Sequence, residues 1–208
     1  MTEICEKKQT RSEAKRERIL EVAGEMFVAQ GYNGVTMEAI AEAAPVSKPT
    51  LYNHFTDKGA LFFAVMEERS QKMFRTFQEN LEVERPVEET LKGIGHTFLD
   101  IILKPETLAM FRIMIGEGVK YPELGQLFYE VGPKRTVGLL ADYFRKLDND
   151  GLLNVPNPEM SANFFLNMIK GYPHMQCLMG LKKKVPQDER DYLVDYAVSI
   201  FLNGHKKA

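Results

Sequence analysis

The stretch from Val46 to Phe62, VSKPTLYNHFTDKGALF, gathers polar side chains whose chemistry is contact rather than catalysis. Thr50 and Asn53 carry groups that meet base edges, whereas Lys48, Tyr52 and His54 suit phosphate oxygens. On a wheel of ~100° per residue, Leu51 and Phe55 share one side. Pro49, Thr50, Asn53 and His54 take the opposite arc, flanked by Lys48 and Tyr52. One side anchors a short helix and the other is offered outward. An arbitrary polar face is more often merely solvated, so the surrounding elements must decide.

Those elements read as helices. From Ser12 to Gln30 the apolar residues Ile19, Val22, Ala23, Met26 and Phe27 form one amphipathic stripe, which Gly31 stops. Thr36 offers a side-chain oxygen to a new start, and Met37 to Ala44 is a short helix closed by Pro45. Ser47 caps the next, with Pro49 in its first turn, so Ser47 to Phe55 is a third, very short helix. A helix this short is not stable alone and must be held by those before it. Two short helices joined by a tight turn, the second presenting small and polar side chains, form the arrangement that fits a major groove. The starts at Thr36 and Ser47 add N–H groups suited to phosphates.

Further helices are expected from Asp57 to about Leu81, Pro86 to Leu103, Pro105 to about Val119, Pro122 to about Leu147, Pro158 to Leu181 and Gln187 to Asn203. Gly132-Pro133 should kink or split the fourth of these, and Pro173 removes a helical N–H from the fifth. No segment alternates strictly enough for a strand, so the chain reads all-α.

Composition sets the outer bounds. The 208 residues are 44% hydrophobic and 27% charged, an ordinary globular balance. A charged N-terminus without a following apolar run, and no stretch of ~18 apolar residues, point away from secretion or a membrane and toward the cytoplasm. Cys5 and Cys177 stand far apart, indicating neither a disulfide framework nor a thiolate metal site. Net charge is -2, and residues 1 to 58 carry eight Lys/Arg against nine Asp/Glu, so any nucleic-acid binding must come from local arrangement.

Catalytic patterns are thin: the sequence has no His-Glu-x-x-His pair, phosphate loop or Gly-x-Ser-x-Gly elbow. GIGHTF at Gly93 lies within a helical pattern, and LDNDG at Leu147 reads as a helix-ending turn rather than a calcium loop. His54, His96, His174 and His205 are scattered, so neither metal nor cofactor is expected.

From Arg16 to Phe62, RERILEVAGEMFVAQGYNGVTMEAIAEAAPVSKPTLYNHFTDKGALF resembles the N-terminal signature of the TetR family of bacterial transcriptional regulators. The similarity lies in Ile19-Leu20, Phe27, Gly31-Tyr32, Thr36-Met37, Ile40-Ala41, Ala44, Val46-Ser47-Lys48, Thr50-Leu51-Tyr52, His54-Phe55, Lys58 and Leu61-Phe62. It implies a helix-turn-helix DNA-binding domain over 1–57 and a helical ligand-binding and dimerisation domain over 58–208. By that resemblance Thr36, Tyr52, His54 and Lys58 hold backbone phosphates, and Ser47, Lys48, Pro49, Thr50 and Asn53 lie along the groove. Arg11, Lys15 and Arg16 read either as a loosely ordered arm or as a solvated charge run. One departure concerns the turn, which in that family often has Gly where this chain has Pro45, a residue whose ring opposes positive φ.

The later segment FRIMIGEGVKYPELGQLFYEVGP resembles the AefR-like branch. Asn163 to Leu181 is apolar nearly all round, so it is buried on more than one side. With the stripe of the last helix it reads either as part of a monomer core or, as the family resemblance also implies, as a two-fold four-helix interface through Phe164, Gly171, Met175, Tyr192, Tyr196 and Ile200. Phe98, Met110, Phe111, Met114, Phe128, Phe144 and Met168 make a Met- and aromatic-rich middle region, suited either to plain core or to an adaptable effector cavity. Arg112, Glu117, His96 and His174 are the polar groups nearby. The resulting expectation is a homodimeric regulator, most often a repressor in that family, released from an inverted-repeat operator in double-stranded DNA by a small apolar or amphipathic effector. A protein-binding adaptor that has kept the fold without reading DNA is the rival, favoured by the acidic-leaning N-terminus and Pro45; a helical enzyme is the third.

Overall fold

A computed structural model describes residues 11–82 and 85–207, and among them it contains helices and turns without a strand. The Cα positions form two compact units, dividing between Glu68 and Arg69.

The N-terminal unit begins with α1 (Arg11–Gly34), α2 (Met37–Ala43) and α3 (Lys48–His54). Arg11, Lys15 and Arg16, read above as an arm or a charge run, lie on the first turns of α1. Gly31 breaks that helix at φ 73°, ψ 171°, a conformation closed to side-chain-bearing residues, and one further turn follows. The break places Tyr32 in the core, where its ring meets that of Phe62 edge-on at 5.2 Å, and Phe27 meets Phe62 at 4.9 Å. Ile19, Val35, Ile40, Leu51 and Leu61 are fully buried beside them. By area bookkeeping each such side chain contributes about 1.5–3 kcal/mol relative to exposure, which is how a seven-residue helix such as α3 persists.

Helix α4 (Lys58–Glu82) carries the chain onward to α5 (Val87–Ile102), α6 (Pro105–Glu117), α7 (Pro122–Tyr129), a π-helical turn (Glu130–Lys134), α8 (Arg135–Asn149), α9 (Pro158–Leu178) and α10 (Gln187–Gly204). The expected interruption at Gly132-Pro133 takes the form of that π turn, with Pro133 inside it. A proline lacks the N–H an α-helix needs, and the wider turn tolerates the gap. In α9 the break falls at Gly171 (φ 47°, ψ -161°), ahead of Pro173.

The C-terminal core joins α5, α8, α9 and α10 through Leu91, Ile94, Leu140, Phe165, Ile169 and Val194. Phe144 stacks on Phe201 at 4.4 Å and meets Phe165 edge-on at 6.1 Å. Gly95 permits the close approach of α5: a Cβ there would stand 2.9 Å from a Val194 methyl and 3.1 Å from Ile169. The LDNDG segment ends α8, with Gly151 at φ 76° and Asp148 accepting from the Val155 N–H at 2.8 Å. No described helix is long and apolar enough to cross a membrane.

Candidate functional site

The site begins with two caps. The Ala39 N–H donates to Thr36 Oγ1 at 3.2 Å, and the Thr50 N–H donates to Ser47 Oγ at 3.2 Å. The Ser47 and Thr50 hydroxyls also bond one another at 2.8 Å. Each cap satisfies an otherwise orphaned helix N–H and is worth about 1 kcal/mol. Together they fix where α2 and α3 begin.

Between them runs a four-residue turn, Ala44 to Ser47, closed by the Val46 N–H donating to the Ala41 carbonyl at 3.0 Å. Pro45 sits in it at φ 20°. The expectation that its ring would keep φ negative is corrected here. The turn demands a backbone course that proline adopts only under strain.

With the turn set, α3 buries Leu51 and Phe55 and exposes Lys48, Pro49, Tyr52 and Asn53. Thr50 and His54 are half-buried at the edge of that outward arc. The periodicity of seven residues is therefore realised as one anchored side and one free side. Arg16, on α1, lies over the Phe55 ring at 5.5 Å, a cation–π contact that ties the first helix to the end of α3.

Two cations near this face already have partners. Lys48 Nζ stands 3.4 Å from Glu38 Oε1 at the start of α2, both side chains well exposed. Its own backbone N–H and then Lys48 hold the Glu38 carboxyl below the usual carboxylate range. Lys58 Nζ donates to the Tyr32 and Val35 carbonyls at 2.9 and 3.0 Å. Sequence spacing carried no sign of Glu38 or Arg16 as neighbours of α3, because the pairings join different helices.

In the C-terminal unit the residues grouped in the sequence as an effector region fall in two places. Phe144 lies in the core, with Phe98 and Met168 packed against it. Met110, Phe111 and Met114 lie on α6, where Phe111 meets Phe128 of α7 edge-on at 5.0 Å and His174 of α9 at 5.2 Å. The accompanying polar groups also separate. Arg112 donates to the Cys177 and Leu178 carbonyls at 2.7 and 2.8 Å, closing the end of α9. His96 faces Asp191 at 3.8 Å. An open groove beside the π turn, lined by Pro133, Lys134, Gly138, Asp142, Glu159 and Asn163 among others, contains none of the residues grouped as effector-binding.

The residues grouped as a dimer face share one property. Phe164 (61%), Met175 (51%), Tyr192 (66%), Tyr196 (58%) and Ile200 (44%) all keep large apolar surface in solvent, although α9 and α10 bury their other sides. Tyr192 and Tyr196 stack in parallel at 5.8 Å. Gly171, at a positive φ, is required by the α9 backbone itself. Isolated exposed apolar residues are ordinary, whereas these lie along two helices that pack against one another.

Comparison with known proteins gives two domain matches. Residues 19–65 match the model of bacterial regulatory proteins of the tetR family, and residues 89–206 match the AefR-like transcriptional repressor C-terminal domain. The uncharacterized HTH-type transcriptional regulator YvkB of Bacillus subtilis is 24% identical over 196 residues, covering 90% of this chain and 95% of its own. SrpR of Pseudomonas putida is 30% identical over 116 residues, 56% of this chain and 53% of its own. Among solved structures, a TetR-family regulator from Mesorhizobium loti superposes with a TM-score of 0.85 at 28% identity, covering 95% of this chain and 100% of the other. The flavonoid-responsive regulator FrrA does so with 0.78 at 28% identity, covering 93% and 97%.

Proposed function

The chain belongs to the TetR family of bacterial transcriptional regulators, and from that premise we propose that it is a cytoplasmic homodimeric repressor released from its operator by a small apolar or amphipathic molecule. The observation that carries this reading is α3, held from behind by Leu51 and Phe55 while Tyr52 and Asn53 face outward and Thr50 sits half-buried at the edge of the same arc. A single helix of this length reads too few base pairs for a unique site. A dimer places a second copy about one helical turn of DNA away, and the exposed stripe of α9 and α10 is the surface that supports such pairing.

In this reading Thr36, Tyr52, His54 and Lys58 hold phosphates, while Ser47, Lys48, Pro49, Thr50 and Asn53 lie along the groove. Lys48 exchanges Glu38 for the DNA backbone on binding. Regulation requires only that the effector favour a dimer with low operator affinity, and a coupling of ~1–3 kcal/mol shifts affinity by several-fold to over a hundredfold. The similarity to FrrA, described as flavonoid-responsive, supports a small organic trigger. The domains divide in function near the start of α4, with residues 1–57 reading DNA and 58–208 sensing and dimerising.

The test is selection of genomic DNA fragments on the purified protein at near-physiological salt, followed by sequencing of the retained DNA. Enrichment of an inverted repeat is expected, and Tyr196→Glu, which places a charge on the stripe, abolishes it together with the dimer. Retention without any enriched repeat would overturn the operator reading, and no retention at all would favour a protein-binding adaptor.

A further inference from the structure

His174 lies on α9 with 2% of its surface exposed, and its Nε2 has no hydrogen-bond partner. Buried polar atoms are almost always paired, so an orphan of this kind calls for a cause. Its ring stands edge-on to Phe111, which in turn stands edge-on to Phe128, so three rings from α6, α7 and α9 converge. Met110, Phe111, Met114 and Glu117 fall within one arc of about 120° on α6, at ~100° per residue. Glu117 brings a second buried atom without a hydrogen bond, Oε2, with Lys120 3.7 Å away. Met110 and Met114 are buried on the same arc of α6, and methionine side chains repack at little cost.

Resting on the ligand-responsive reading above, we propose that His174 is the hydrogen-bonding anchor of the effector site and that the effector is a neutral aromatic molecule bearing a hydroxyl group. The ring cluster receives an aromatic body, and Nε2 receives the one polar contact. A hydroxyl both donates and accepts, so it satisfies either tautomer of a neutral imidazole. Burial, and then the charge of Lys170, push the His174 pKa down to about 4, so the ring is neutral near pH 7. An anionic effector is poorly served here. The imidazole offers it no charge, and the Arg112 guanidinium is spent on two carbonyls of α9. Lys170, whose charge reaches His174 from across the Gly171 break, would favour an anion, and the carboxylate probe below tests for it.

The proposal is tested by calorimetric titration of the full-length protein with three matched probes: para-phenylphenol, biphenyl and para-biphenylcarboxylate. The phenol is expected to bind about tenfold tighter than biphenyl, the equivalent of one well-made buried hydrogen bond. His174→Phe should erase that preference and His174→Gln should keep part of it. The wild-type comparison needs no variant to fold. Equal binding of phenol and biphenyl, no binding of the phenol, or tightest binding of the carboxylate overturns the proposal. Operator retention measured in parallel separates the two readings. Release of DNA by the carboxylate would remove the His174 anchor and leave a ligand-responsive regulator standing, whereas failure to retain DNA at all would remove that regulator.

Discussion

Lys58 reaches back from the start of α4 to Tyr32: its ammonium donates to the Tyr32 carbonyl at 2.9 Å and lies 4.4 Å from the centre of the Tyr32 ring. A second bond to the Val35 carbonyl, at 3.0 Å, completes the cradle. These carbonyls follow the Gly31 break, where the helical ladder no longer supplies donors. One side chain therefore closes α1, and the proposed reading also gives it a phosphate to hold. Lys58→Met keeps the apolar stem and removes both bonds. It should lower stability by about 1–3 kcal/mol, read as a shift in urea midpoint. A lysine acting on phosphate alone would leave the midpoint unchanged and lower only DNA affinity.

Tyr52 and Asn53 are neighbours on α3 with different expected roles. Tyr52→Ala should weaken binding to all DNA sequences at matched salt, as loss of a phosphate contact does. Asn53→Ala should relax preference at one base position by about 1–3 kcal/mol while sparing non-specific binding. Binding to a library of operator variants distinguishes them, and a uniform effect from Asn53→Ala would remove it from the base-reading set.

Pro45 is held at φ 20° in the turn between α2 and α3. Proline's ring prefers about -65°, so the native turn carries strain of order 1–3 kcal/mol. Pro45→Gly should release that strain, offset by ~0.4–1 kcal/mol from the freer unfolded chain, and raise stability by about 1 kcal/mol. Thermal unfolding checks the sign. A lowered midpoint would mean that proline's restriction of the unfolded chain outweighs the strain.

Buried His174 makes stability depend on acidity. Its folded pKa, about 4, lies below the ordinary value of 6.5, with burial the larger cause and Lys170 the smaller. Between those values the unfolded chain binds the proton that the folded chain refuses. The contribution is therefore complete above pH ~6.5 and falls as pH drops toward 4, by up to about 3 kcal/mol. His174→Phe should flatten the dependence in that window relative to the parent, as measured by denaturation at several pH values.

The helix starts at Thr36 and Ser47, the anchors Leu51 and Phe55 and the outward arc between them were legible in the sequence. Each depends on residues within one or two turns, where backbone hydrogen bonding and the 3.6-residue repeat act directly. The TetR membership followed from those residues at their offsets. Tertiary structure decided which groups from distant segments share a place. It paired Lys48 with Glu38 and Lys58 with Tyr32, and it drew Phe144 into the core beside Phe201 while Phe111 went to His174. An aromatic stripe on a helix marks a face suited to packing, but the partner depends on how whole helices cross, and that is a sum over many contacts rather than a property of any short segment.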